Sequence, residues 1–252
     1  MTPRVLIIAG SDSGGGAGIQ ADIKTVTMLG GHAMTAVTAV TAQNTVGLQA
    51  VHAIPTAMVI AQIQSCLGDI GADVVKIGMI GSAATAHAVT DLLAGIDLPI
   101  VFDPVMVATS GSTLADPDTI AAFARLMAVA SVVTPNLPEL AALGGKDNVL
   151  SYGCHLLVKG GHGEGAMVVD RLWSPNGLVR ELSARRIDTT STHGTGCTLA
   201  SALATGLGEG MELYEAFGRA VFFVRIALLE APGFGKGHGP MGQQGVREFW
   251  DE

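Results

Sequence analysis

The chain has 252 residues, 48% hydrophobic and 14% charged, which suits one large domain with a well-buried core and excludes a disordered or fibrous protein. Acidic side chains outnumber basic ones, 22 to 14, and no Lys/Arg run occurs, which argues against a nucleic-acid or anionic-membrane partner and for a small molecule. Three dispersed cysteines without metal-type pairing, a start that runs directly into a strand, and apolar stretches broken by Gly, Asp or Lys together predict a cytoplasmic protein.

In chain order, short apolar runs alternate with helical patterns, the signature of βαβ units around a mostly parallel sheet. Strands are predicted at 4–9, 33–40, 50–54, 73–77, 100–102, 131–133 and 156–159. Helices are predicted at 19–29, 56–67, 83–93 and 117–127, with another begun by Asn136. An antiparallel pair follows at 166–173 and 178–183, joined by Ser-Pro-Asn-Gly, and then a last strand at 185–188. A helix opening behind Gly194 and a final helix over 212–231 close the fold, and residues 1–252 read as one domain. Ligands of such sheets bind outside the carboxyl ends of the strands, where the unusual residues of this chain fall.

The most informative stretch is 191–206, STHGTGCTLASALATG. Gly194 and Gly196 precede an Ala- and Leu-rich helical run, so free amides and the positive end of a helix converge on one spot, a natural phosphate site. Thr195 lies inside that loop. Cys197 sits at its mouth, where a lowered thiol pKa is expected and a role as base or nucleophile follows. A Gly-rich turn with a structural Cys is the plain alternative.

The loop at 9–18 lacks both the G-x-G-x-x-G and the G-x-x-x-x-G-K-[ST] spacing, so its glycines instead let backbone approach a flat ligand. Asp22, one turn into the next helix, faces the same pocket or caps it. Gln43 offers a donor and an acceptor on one planar amide, which matches a heterocycle bearing a ring nitrogen and an exocyclic amine, or it is an exposed loop residue. Met79 is pocket wall or core. Asn136 and Glu139 share one side of a helix start and either hold hydrated Mg²⁺ beside triphosphate oxygens or simply cap the helix. Lys159 and Lys236, each among glycines, suit mobile ammonium groups reaching phosphate. His193 is read as a structural hydrogen-bonding residue.

Taken in order, AGSDSGGGAGIQADIKT, TAVTAQNT, KIGM, DPVM, TPNLPE, KGGH, THGTGCT and GKGHGP resemble the hydroxymethylpyrimidine/phosphomethylpyrimidine kinases of thiamin biosynthesis, in the ribokinase-like superfamily. The resemblance implies a three-layer α/β/α fold with a central mostly parallel sheet, ATP with Mg²⁺ as phosphoryl donor, and 4-amino-5-hydroxymethyl-2-methylpyrimidine or its monophosphate as acceptor. It carries pyrimidine contacts onto Gly10, Asp22, Gln43, Met79 and Val105, and the anion hole and catalytic group onto Gly194, Thr195, Gly196 and Cys197. Nucleotide contacts fall on Asn136, Lys159, Thr195 and Lys236, metal contacts on Asn136 and Glu139, and a homodimer is the expected assembly. Cys197 stands where most ribokinase-like enzymes carry Asp, which favours the pyrimidine over a sugar. The short segment between Leu143 and Leu156, where the family fits another helix, is a departure. A pyridoxal-type vitamin kinase is the alternative, a Cys197 thiol hydrolase a distant one, and a non-catalytic pyrimidine sensor a third.

Overall fold

The computed structural model describes residues 1–108 and 111–247. Its strands are β1 (Arg4–Ser11), β2 (His32–Asn44), β3 (Gly47–Ala53), β4 (Val74–Ile77), β5 (Ile100–Phe102), β6 (Val132–Val133), β7 (His155–Val158), β8 (Met167–Ser174) and β9 (Gly177–Arg185). The helices are α1 (Gly18–Met28), α2 (Thr56–Asp69), α3 (Ala83–Leu93), α4 (Pro117–Val129), α5 (Leu137–Ala142), α6 (Lys146–Leu150), α7 (Thr195–Gly208) and α8 (Leu213–Leu229). The strands form one sheet in the order β3-β2-β1-β4-β5-β6-β7-β8-β9. From β2 to β7 all pairings are parallel, while β3, β8 and β9 join antiparallel at the two edges.

Parallel strands covered on both faces are apolar nearly throughout, and the alternation of side chains then sorts them into two cores. Val5, Ile7 and Ala9 of β1 pack with Val74, Val101, Val132 and Leu157 beneath α1, α7 and α8. Leu6 and Ile8 pack with Val75, Ile77 and Phe102 against α2, α3 and α4 on the other face. This is the helix–sheet–helix layering expected from the sequence. α7 is buried around most of its circumference, which accounts for its nearly unbroken Ala and Leu content. β1 lies between β2 and β4, so the direction of winding reverses there and the carboxyl ends of these strands open a crevice.

Three expectations need correction. No strand forms over 185–188: β9 already carries the chain to Arg185, after which Arg186 and Ile187 turn toward the crevice. The edge strand begins earlier than predicted, because β3 pairs with β2 down to the Asn44–Gly47 turn. The segment after Leu143 does hold a helix, the single-turn α6, whose Val149 is buried and whose Lys146 ammonium stacks 4.5 Å over Trp173. Among the described residues, no helix is long and apolar enough to cross a membrane.

Candidate active site

A cavity of about 1150 Å³ opens at the carboxyl ends of the strands, floored by the start of α7. Gly194 precedes that helix with φ +85°, a left-handed conformation closed to most side chains, and a β-carbon there would run into the Gly16 carbonyl. No side chain caps α7, so its first amides face the cavity together with the positive end of a 14-residue helix. Gly194, Thr195, Gly196 and Cys197 all line it. The loop that the sequence reading assigns to an anion is thus brought to the cavity by its glycines.

The chemistry of Cys197 differs from expectation. Burial pushes its thiol up to about 11, and the nearby Lys76 charge and the Gly18 amide oppose this only in part. Desolvation of a thiolate in this enclosure outweighs them, and the Asp22 and Asp103 charges add to it. The group is a thiol at neutral pH. Alkylation of Cys197 by iodoacetamide, followed by peptide mass mapping, should accelerate about tenfold per pH unit between 7 and 10, since only thiolate reacts. A rate already level at pH 7 would contradict this environment.

Beneath the thiol lies an ion pair that the sequence reading did not identify. Lys76 Nζ donates to Asp22 Oδ2 at 2.8 Å, with both side chains wholly buried, and Ser201 of α7 donates to Asp22 Oδ1 at 2.7 Å. Burial disfavours the Lys76 charge, but the carboxylates of Asp22 and Asp103 around it hold the ammonium protonated. Lys76 lines the cavity and Asp22 does not. Asp22 thus meets the pocket only through Lys76, which corrects the direct pyrimidine contact expected for it.

On the phosphate side, Lys159 Nζ lies 2.6 Å from Asp103 Oδ1 and 3.7 Å from Glu139 Oε2. It stands over the anion loop, for a β-carbon at Gly196 would come within 3.1 Å of it. Although burial works against its charge, the flanking carboxylates raise the Lys159 pKa. Asp103 also accepts from Thr134 Oγ1 at 3.2 Å, while its Oδ2 is buried without a partner. Asn136 and Glu139 form a reciprocal capping box at the start of α5, each accepting from the other's backbone amide at 2.8 Å. Their capping reading therefore holds, while both still line the cavity. Lys236, expected to reach phosphate, is not among the residues that line it, and its backbone amide bonds Thr45 Oγ1 at 3.2 Å.

Gly10, Gln43, Met79 and Val105 line the same cavity, and a β-carbon at Gly10 would sit 2.6 Å from Met79 Cε, so the glycine is what admits the methionine. Asp12 gathers the amides of Gly14, Gly16 and Ala17, and its Oδ2 is 2.9 Å from His193 Nε2. His193 has the structural partner expected of it. Because Asp12 is bound by His193 and those amides, its carboxyl is held below the usual range in spite of burial.

The sequence profile of the phosphomethylpyrimidine kinase family matches residues 12–242. The chain belongs to that family. It is 43% identical to a hydroxymethylpyrimidine/phosphomethylpyrimidine kinase of Rhizobium meliloti, covering 96% of this chain and 97% of the relative. A relative of the same description from Streptomyces coelicolor is 44% identical over 95% of this chain and 93% of its own length. The chain spans 35% of the multifunctional protein ThiED of Corynebacterium efficiens, at 41% identity. Among solved structures, an ADP complex of Bacillus subtilis pyridoxal kinase superposes with a TM-score of 0.88 at 30% identity, covering 98% of this chain and all of that one. A phosphomethylpyrimidine kinase of Clostridium difficile gives 0.77 at 34% identity, covering 90% of this chain and 99% of that one. The fold is thus ribokinase-like, and the chain is a kinase.

Asp12, Lys76 and Asp103 also line this cavity; they fall in strand-end segments that the sequence marks as unusual, but no role is assigned to them there. One signal was available for Lys76: a lysine inside the apolar run of β4, all of it buried, requires a buried partner. Asp12 and Asp103 lie in the loops that follow β1 and β5, the positions where this architecture places ligands.

Proposed function

We propose that this chain transfers the γ-phosphoryl group of ATP to the hydroxymethyl oxygen of 4-amino-5-hydroxymethyl-2-methylpyrimidine, and a second one to the resulting monophosphate. The carrying observation is the formed anion loop with Cys197 at its mouth, in a chain matching the phosphomethylpyrimidine kinase profile over 12–242. The amides of the Gly194 loop and the Lys159 ammonium hold the transferring group and its charge, which is where most of the rate enhancement of a loose transfer arises. The Cys197 thiol, protonated at neutral pH, steers the acceptor hydroxyl into line. The proton of the acceptor hydroxyl departs late, to an oxygen of the transferred phosphoryl group, since a loose transition state needs little prior deprotonation.

Mg²⁺ belongs to the same proposal. Asp103 Oδ2 is a buried acceptor without a partner, and Glu139 lies close by on the far side of Lys159. The ion would complete its shell with waters and phosphate oxygens. Asp103 and Glu139 would hold it, and it would neutralise and orient the triphosphate.

At the acceptor end we assign the aminopyrimidine edge to Gln43. Gln43→Ala should raise the pyrimidine KM about tenfold or more, because a ring edge left unpaired costs on the order of 1–3 kcal/mol. An unchanged KM in steady-state assays would remove Gln43 from the pocket. Pyridoxal phosphorylation is the second reading, favoured by the superposition on pyridoxal kinases, one of them bound to AMP-PCP and pyridoxal at 28% identity.

A further inference from the structure

Gln43 presents a planar amide to the cavity, and its two neighbours decide which end lies where. Asp12 already accepts from three loop amides, through Oδ1 from Gly14 and through Oδ2 from Gly16 and Ala17. A carboxylate only accepts, so its 2.9 Å contact with His193 Nε2 requires the imidazole proton on Nε2. That same nitrogen lies 3.3 Å from the amide terminus placed as Gln43 Nε2. On the other side, Thr41 Oγ1 gives its single proton to the Ser11 carbonyl at 2.9 Å and is 3.3 Å from the terminus placed as Gln43 Oε1, so the partners call for the amide to be turned over. Thr41 can therefore only accept from Gln43. Amide nitrogen and oxygen are told apart by their partners, and the arrangement that sets no two donors against each other puts the carbonyl oxygen toward His193, sharing the Nε2 proton with Asp12, and the NH₂ group toward Thr41. An amide nitrogen facing Nε2 would set two donors against each other.

We propose that His193, fixed by Asp12 as the Nε2–H tautomer, is a positioning residue for acceptor specificity that locks the Gln43 amide in one orientation. One N–H and one carbonyl lone pair of Gln43 then face the cavity in a fixed order. They meet the ring nitrogen and exocyclic amine of an aminopyrimidine, and they oppose a ring edge with donor and acceptor exchanged. This inference rests on the reading of the cavity as a pyrimidine site. His193 also ties the two loops of the site together, since its ring packs against Gly16 and its backbone amide bonds Gly239.

The test compares kcat/KM for 4-amino-5-hydroxymethyl-2-methylpyrimidine with that for its 4-oxo analogue, whose ring edge reverses the donor and acceptor. The wild-type enzyme should prefer the amine strongly. His193→Phe keeps the ring that packs on Gly16 and removes the Nε2–H, so the Gln43 amide is released and the preference should fall at least about tenfold. Gln43→Ala should erase the preference as well, and the double variant should fall no further. An unchanged ratio in a folded His193→Phe enzyme overturns the proposal, because a purely structural role would lower both activities alike. Nitrogen-15 NMR of wild-type protein labelled at histidine supplies a readout independent of that variant: an Nε2–H tautomer at His193 is required, and an Nδ1–H tautomer overturns the inference. Wild-type enzyme inactive on the amine would instead sink the functional reading, and the tautomer measurement would still decide the orientation of Gln43.

Discussion

Replacing Lys159 with Met is expected to lower turnover about 10²-fold or more at saturating ATP, and to destabilise the fold as well. The two effects have separate origins. Removing the ammonium leaves Asp103 and Glu139 facing each other in a buried corner, where Lys159 had stood 2.6 Å from one and 3.7 Å from the other. Stripping one partner from a buried ion pair typically costs about 3–5 kcal/mol, which urea denaturation would read. The double variant Lys159→Met/Asp103→Asn removes the repulsion between the two carboxylates, so most of the stability should return. Turnover should not return, because the charge over the anion loop and a ligand of the proposed Mg²⁺ are both missing. Recovery of turnover together with stability would show that Lys159 only holds the fold.

Gly194→Ala should be nearly as damaging, through backbone geometry alone. The residue holds φ +85°, and a β-carbon would meet the Gly16 carbonyl, so the loop has to move. Moving it takes the first amides of α7 out of line with the phosphoryl position. Loss of a single such donor costs about 10²–10³-fold in kcat, and a comparable or larger fall is expected here, with a modest rise in the KM for ATP. Gly68→Ala is the control. That glycine lies in α2 with open space around it, so turnover should be unchanged and stability equal or slightly higher. A Gly194→Ala enzyme as active as this control would contradict the role assigned to the loop.

The sheet was legible because its strands are covered on both faces and carry uninterrupted apolar runs, and the helices because their faces repeat every three to four residues. The anion loop was legible because glycines beside a helix start need no distant partner to act. What stayed hidden depends on pairs far apart in the chain. Lys76 meets Asp22 across 54 positions, Lys159 meets Asp103 across 56, and His193 meets Asp12 across 181. Local reasoning placed Asp22 in the pocket, whereas packing of α1 against α7 buries it under Lys76. Lys236 looked mobile among glycines, but Gly235 and Gly237 are there for close approach to Thr45. For Cys197 the sequence showed the helix end and not the enclosure around the thiol, so the sign of its shift came out reversed.

The central claim is that this cavity phosphorylates an aminopyrimidine alcohol, and ADP release measured across candidate acceptors tests it most directly. Purified enzyme should release ADP only with ATP, a divalent cation and 4-amino-5-hydroxymethyl-2-methylpyrimidine or its monophosphate together. Pyridoxal, run in parallel, reports any vitamin-kinase activity on the same fold. Release with ribose and none with the pyrimidine would contradict the account, as would turnover of the pyrimidine that persists without ATP.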